Sequence, residues 1–141
     1  SSSNALVTAS VSGDSLTLDY QANQNGTATI TVTATDGSGA SVDLTFNVAV
    51  LSPAHLANGI IQLIRQWQSD SKINAGVANS MIVKVVNSLK SYEKGNLEAA
   101  GNQLTALKNE ISAKVKPGSL TLEDSLLAFR LIDELYDSMT P

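Results

Sequence analysis

GTATITVTATDGSG, residues 26–39, is the stretch that decides how the first part of this chain folds. Small or branched apolar residues at positions 28 to 34 alternate with threonine, and this period of two is typical of a β-strand with one buried face and one wet face. The closing Asp-Gly-Ser-Gly indicates a hairpin, because glycine tolerates a positive φ. The alternation resumes at residues 42–50, so the sequence predicts that these two strands pair.

Two more strands are predicted before this hairpin. Residues 6–11 form one candidate, and Leu16, Leu18 and Tyr20 mark the next, with a turn between them at Ser12-Gly13-Asp14. We expect the four strands to form a sheet with one apolar side and one threonine-rich side.

A change of composition near Ser52-Pro53 separates strand-favouring residues from helix-favouring ones. Ser52 is a suitable N-cap and Pro53 a suitable first helical residue. Apolar residues then recur at helical spacing in four stripes, which predict a small bundle of four helices. Gly95 and Pro117-Gly118 are predicted helix ends, and Thr121 with Asp124 resembles a capping box.

Composition and charge exclude several classes of function. The chain has 141 residues, no cysteine, one histidine and a net charge of −4. Without cysteine there is no disulfide or thiolate metal site, and no apolar run is long enough to span a membrane. Residues 1–64 contain no lysine or arginine, and the nine basic residues that follow are balanced by nine acidic ones. This distribution argues against nucleic-acid binding.

Two family resemblances cover most of the chain. Residues 4–50 resemble the second half of a bacterial Ig-like or cadherin-like repeat, through the motif at 25–39 and Thr45-Phe46-Asn47-Val48. Residues 55–139 are similar to the FIMAH-type helical domain of secreted bacterial proteins, through Val77-Ala78-Asn79-Ser80, Lys84 and the stretch 89–107.

These resemblances imply an α+β chain. A partial Ig-like antiparallel β-sandwich would occupy residues 1–51, and a FIMAH-like four-helix bundle would occupy residues 52–141. They also imply a secreted or cell-surface location. No catalytic residue carries over, since none is attributed to the helical family.

The β part is short for an Ig-like domain, which has about seven strands. Its apolar face therefore needs a cover, and three sources stay open: the helices, a neighbouring chain or further parts of a parent protein. We favour assembly of the chain with itself by strand completion, into a filament. The predicted interface residues are Ile30, Val32, Phe46 and Val48.

The sequence predicts no cofactor, and calcium is the alternative. Cadherin-like repeats often bind calcium through aspartates, and the candidates here are Asp14, Asp19, Asp36 and Asp43. Because these aspartates are scattered in sequence, roles in turns and on solvated strands are favoured over a site of six to eight oxygen ligands.

The remaining chemical candidates favour structural roles. His55 has no recognisable nucleophile motif, and Trp67 and Tyr92 continue apolar stripes. The carboxylates of the last predicted helix fit a first turn and a solvated face; they are Glu123, Asp124, Asp133, Glu134 and Asp137.

The sequence thus predicts a non-catalytic structural or adhesive module of an extracellular protein, partnered by itself or by neighbouring domains. The alternative is an accessory module of an exported enzyme that binds carbohydrate or another surface ligand.

Overall fold

The computed structural model describes residues 2–3, 6–21 and 24–140, and it has an α+β fold. Five strands precede four helices among these residues. The strands are β1 (Ser2–Ser3), β2 (Val7–Ser12), β3 (Ser15–Tyr20), β4 (Gly26–Thr35) and β5 (Ser41–Val50). The helices are α1 (Pro53–Ser69), α2 (Ala75–Glu93), α3 (Leu97–Val115) and α4 (Leu122–Met139). The chain divides into two compact units after Ser52, which we call the β unit and the helical unit.

The first sheet of the β unit is centred on a tight hairpin. Strands β2 and β3 pair antiparallel from Val7↔Tyr20 to Ser12↔Ser15, which leaves a two-residue turn. Gly13 occupies this turn at a φ of +57°, a conformation that residues with a Cβ rarely adopt. The short strand β1 adds to the free side of β2 and completes a three-stranded sheet.

The second sheet is the hairpin predicted from residues 26–50. Strands β4 and β5 pair antiparallel without interruption from Gly26↔Val50 to Thr35↔Ser41. Asp36 organises the connecting turn: its carboxylate accepts hydrogen bonds from the backbone N–H groups of Ser38 and Ala40 and from the Ser38 hydroxyl, each at 2.9 Å. The Asp-Gly-Ser-Gly motif therefore forms the expected turn.

The strands do not join into the single sheet that their alternation suggested. Each hairpin forms its own sheet, and the apolar faces of the two sheets bury one another. Val7 and Ala9 of β2 share a core with Ala28 and Ile30 of β4. Two hairpins with matching apolar faces exclude more water by facing each other than by lying side by side, because edge pairing would leave one whole face wet.

The helical unit has the four helices that the apolar stripes predicted, all contributing to one core. Helix α1 packs against α2 and α4, and α3 packs against the same two helices. Large buried side chains from every helix fill the centre, namely Ile60, Ile64, Trp67, Met81, Val85, Leu107, Ile111, Ile132 and Leu135. Within the described residues, no helix is both long enough and apolar enough to cross a membrane.

Polar side chains define the helix ends. The side chains of Asn74 and Asn96 accept from backbone N–H groups in the first turns of α2 and α3. Thr121 and Asp124 form the predicted capping box at the start of α4, with both reciprocal bonds present. Gly95, at a φ of +74°, follows the end of α2 as expected.

Candidate functional site

The four predicted interface residues lie on the inner face of the β4–β5 hairpin. Ile30 pairs with Phe46, and Val48 pairs with Ala28. Ile30 is buried in the core that the two sheets share, while Val32, Phe46 and Val48 are partly buried against that core. Strand β2 of the same chain therefore covers part of this face.

The same face is uncovered toward the Asp36 turn. Leu44 and Val42 lie opposite Val32 and Ala34, and their exposed fractions are 67% and 68%. Large apolar side chains are seldom this exposed in clusters without a partner. The inner face thus has a buried half and an exposed half, and the sequence prediction placed its interface mainly on the buried one.

The opposing sheet is also uncovered at this end. Val11 and Leu16 form a cross-strand pair beside the β2–β3 turn, and both are exposed. A cleft of about 400 Å³ lies beside β4, lined by Ala9, Val11 and Leu16 of the first sheet and by residues 30–33 of β4. Apolar side chains and two threonines line it, and none of these groups is charged.

The edges of the second sheet are unpaired. Within the described residues, β4 and β5 pair only with each other, so each ten-residue strand has one free edge. Natural proteins block such edges with lysine, proline or bulges. Residues 26–50 contain neither lysine nor proline, and the register of the ladder is unbroken. The free edges are therefore open to pairing with another strand.

The outer face of the β4–β5 hairpin is a ladder of hydrogen-bonded polar pairs. The Thr29 hydroxyl donates to the Asn47 side chain at 2.9 Å, and the Thr33 hydroxyl donates to Asp43 at 2.6 Å. Between them, the hydroxyls of Thr31 and Thr45 lie 3.2 Å apart. These cross-strand bonds hold the register of the hairpin and give the threonines a structural role.

The four calcium candidates are distributed over different parts of the β unit. Asp14 lies in the β2–β3 turn, Asp19 lies opposite Thr8 on β3, and Asp43 accepts from Thr33. At Asp36, hydrogen bonds from the Ser38 hydroxyl and from the Ala40 and Ser38 backbones hold the pKa below its ordinary value. In the part of the chain that the structure describes, no three acidic or histidine side chains gather as metal ligands would.

Other candidates from the sequence occupy ordinary structural positions. His55 is exposed in the first turn of α1. Trp67 is fully buried and Tyr92 packs against the same core, so neither ring is a surface platform. The carboxylates of α4 are exposed except for Asp124, which is partly buried and bonded to Lys72 at 2.9 Å.

An exposed aromatic that the sequence reasoning did not single out is Tyr136 on α4. Its exposed fraction is 41%, and it lies in a groove between α3 and α4. The apolar stripe of α4 includes Leu135, so a helical wheel places the next residue away from the centre of the core. This position beside the apolar stripe is the sequence signal that could have indicated an exposed tyrosine.

Comparison of the chain with protein-family models, with curated proteins and with solved structures gave no match.

Proposed function

We propose that this chain is a non-catalytic structural or adhesive module of a secreted or cell-surface protein, and that it assembles with itself through its β unit. The supporting observation is the β4–β5 sheet, which combines two unprotected edges with exposed Val42 and Leu44. On this proposal, the β unit is a partial Ig-like sandwich and the helical unit is a FIMAH-like bundle that acts as a cap or docking element.

A second copy can use each of these features. One of its strands would pair with the free backbone groups of β4 or β5 and extend the sheet in its own plane. The exposed half of the inner face would be covered by the apolar face of that copy, not by the added strand itself. Full burial of a valine or leucine side chain is worth about 1.5–3 kcal/mol, so Val42 and Leu44 supply a substantial part of the association energy.

Charge permits contact between copies of the inner face. The inner-face positions of β4 and β5 hold no ionisable side chain. Asp43 lies on the outer face, where it accepts a hydrogen bond from Thr33. Two such faces therefore meet without like-charge repulsion at their centre. Burial of an unpaired charge, which would oppose association, is avoided.

Which strand edges pair determines whether a filament or a symmetric dimer forms. If the β4 edge of one copy pairs with the β5 edge of the next, the contact is head-to-tail and can continue into a filament. If two β5 edges pair, the contact is two-fold symmetric, and growth beyond a dimer would need the β4 edges to pair with each other as well. The proposal favours the first, because β4 and β5 each have one free edge among the described residues.

The test is the mass of the whole chain by size-exclusion chromatography with light scattering, over a range of micromolar concentrations. We expect a mass that rises with concentration. Leu44→Lys adds a charge to the exposed inner face and should shift the population to monomer. Val83→Lys is the matched control, because Val83 is 53% exposed on α2 and should leave association unchanged.

Two results would overturn the proposal. One is a monomer at every concentration tested. The other is an oligomer that Leu44→Lys leaves intact while Val83→Lys dissolves it, which would place the contact on the helical unit.

A further inference from the structure

The groove beside Tyr136 lies between α3 and α4 and has a volume of about 310 Å³. Its floor is formed by Leu104 and Ile132, which belong to the core of the helical unit. Polar side chains of α3 line one wall, and Asp133 and Tyr136 of α4 line the other. This size is at the lower end of the range for small-molecule sites, enough for one or two sugar rings.

Gly101 lets the Tyr136 ring approach the backbone of α3. A Cβ added at Gly101 would lie 3.0 Å from Cε2 of Tyr136 and 3.7 Å from Cζ. Glycine inside a helix costs about 1 kcal/mol relative to alanine, and the φ of Gly101 is not positive. The close contact therefore gives this glycine a physical role, which is to hold the tyrosine ring against the groove.

The α3 wall presents unused hydrogen-bonding groups. Glu98, Asn102 and Thr105 lie at spacings of four and three residues, so they share one face of the helix. Among the described residues, the side chains of these three make no hydrogen bond. A row of free donors and acceptors beside an exposed aromatic ring is the arrangement that recognises a sugar, whose ring stacks and whose hydroxyls bond.

Charge narrows the ligand class. Lys108 at the end of the groove is paired with Asp133 and also lies over the Phe129 ring, 5.7 Å from its centre. Its positive charge is therefore already compensated within the protein. Glu98 adds a carboxylate that no basic side chain of the described residues pairs with, so the groove disfavours phosphate, sulfate and uronate groups.

We propose that the groove between α3 and α4 binds a neutral oligosaccharide. Tyr136 stacks on a sugar ring, and Asn102 and Thr105 bond its hydroxyls. This inference is independent of self-assembly, because every residue that it uses belongs to the helical unit.

The experiment probes the labelled whole chain against an array of neutral, sialylated and sulfated glycans, followed by titration with the best-retained neutral glycan. Tyr136→Ala should weaken binding about tenfold or more, whereas Tyr136→Phe should keep most of it, because the ring remains. Asn102→Ala should also weaken binding. Gly101→Ala should do so without removing a polar group, because it displaces the ring.

Tyr20→Ala is the matched control, since Tyr20 is a similarly exposed tyrosine, at 52%, in the β unit. It should leave glycan binding unchanged. Circular dichroism of each variant shows whether the helices are retained, and Asn102→Ala supplies the expected loss of binding if Tyr136→Ala unfolds. The proposal is overturned if no neutral glycan is retained, if only charged glycans are retained, or if a folded Tyr136→Ala variant binds like the unaltered chain.

Discussion

Replacement of Asp124 tests how the start of α4 is held. Its carboxylate accepts a bond from the Thr121 N–H at 2.9 Å and pairs through both oxygens with Lys72, in the connection before α2, also at 2.9 Å. Asp124→Asn keeps an acceptor for Thr121 but removes the charge, whereas Asp124→Ala removes both. The two variants therefore separate the ion pair from the capping box.

The expected losses follow from these contacts. A partly exposed ion pair contributes about 0.5–1 kcal/mol, and a carboxylate in a first turn adds about 0.5 kcal/mol through the helix dipole. The bond to Thr121 is worth about 1 kcal/mol. Asp124→Asn should therefore cost about 1–1.5 kcal/mol and Asp124→Ala about 2–2.5 kcal/mol in the free energy of unfolding of the helical unit.

The pH dependence gives a second readout. Burial raises the pKa of Asp124, but the bonds from Lys72 and Thr121 outweigh it, so the pKa lies below its ordinary value of 3.8. A carboxylate with a depressed pKa contributes its stability in full above the unfolded-state pKa and loses it as the pH falls through the folded-state pKa. The difference between the unaltered chain and Asp124→Asn should thus be constant near neutral pH and shrink below pH 3.8.

Urea unfolding, followed by the helical circular dichroism signal at several pH values, measures both effects. Glu134→Gln is the control, because the partner of Glu134 among the described residues is Arg130, in an exposed pair whose loss should stay within about 0.5 kcal/mol. The reasoning fails if Asp124→Asn is as stable as the unaltered chain at neutral pH. It also fails if the difference persists undiminished in acid.

Two further predictions concern a helix and the calcium alternative. Gly59→Ala should raise the stability of the helical unit by about 0.5–1 kcal/mol in the same urea assay. Gly59 lies in α1, and a Cβ added there would have no atom within 4 Å. A loss of stability would contradict this prediction. Calcium should leave the thermal unfolding of the β unit unchanged relative to chelator, because the described acidic groups do not gather in threes; a reproducible rise of several degrees with calcium would restore the metal site.

Local features of the fold were predictable because they depend on neighbouring residues. The alternation before Thr35 and the turn at Asp36 specify a hairpin through side-chain direction and glycine conformation. The Thr121–Asp124 capping box is likewise a signal over three residues. Such patterns hold whatever the rest of the chain does.

Features that depend on distant pairs were not predictable in the same way. Alternation shows which residues share a face but not which strands share a sheet, so it did not specify that β2–β3 and β4–β5 lie in separate sheets. The pairing of Lys72 with Asp124 joins residues 52 positions apart and has no local signature. The groove at Tyr136 likewise depends on which helix lies opposite Gly101.

The pairing of Gly26 with Val50 has a mechanical consequence when the chain is under tension. Both ends of the β4–β5 hairpin lie side by side, so tension along the chain pulls them directly apart and opens the ladder one rung at a time. A ladder loaded in this way yields at low force, since its bonds break in sequence rather than together. In the proposed assembly, a strand docked along the free edge of β5 would instead be loaded along its length. Many of its hydrogen bonds would then share the load, so this contact would withstand more force than the hairpin that supports it.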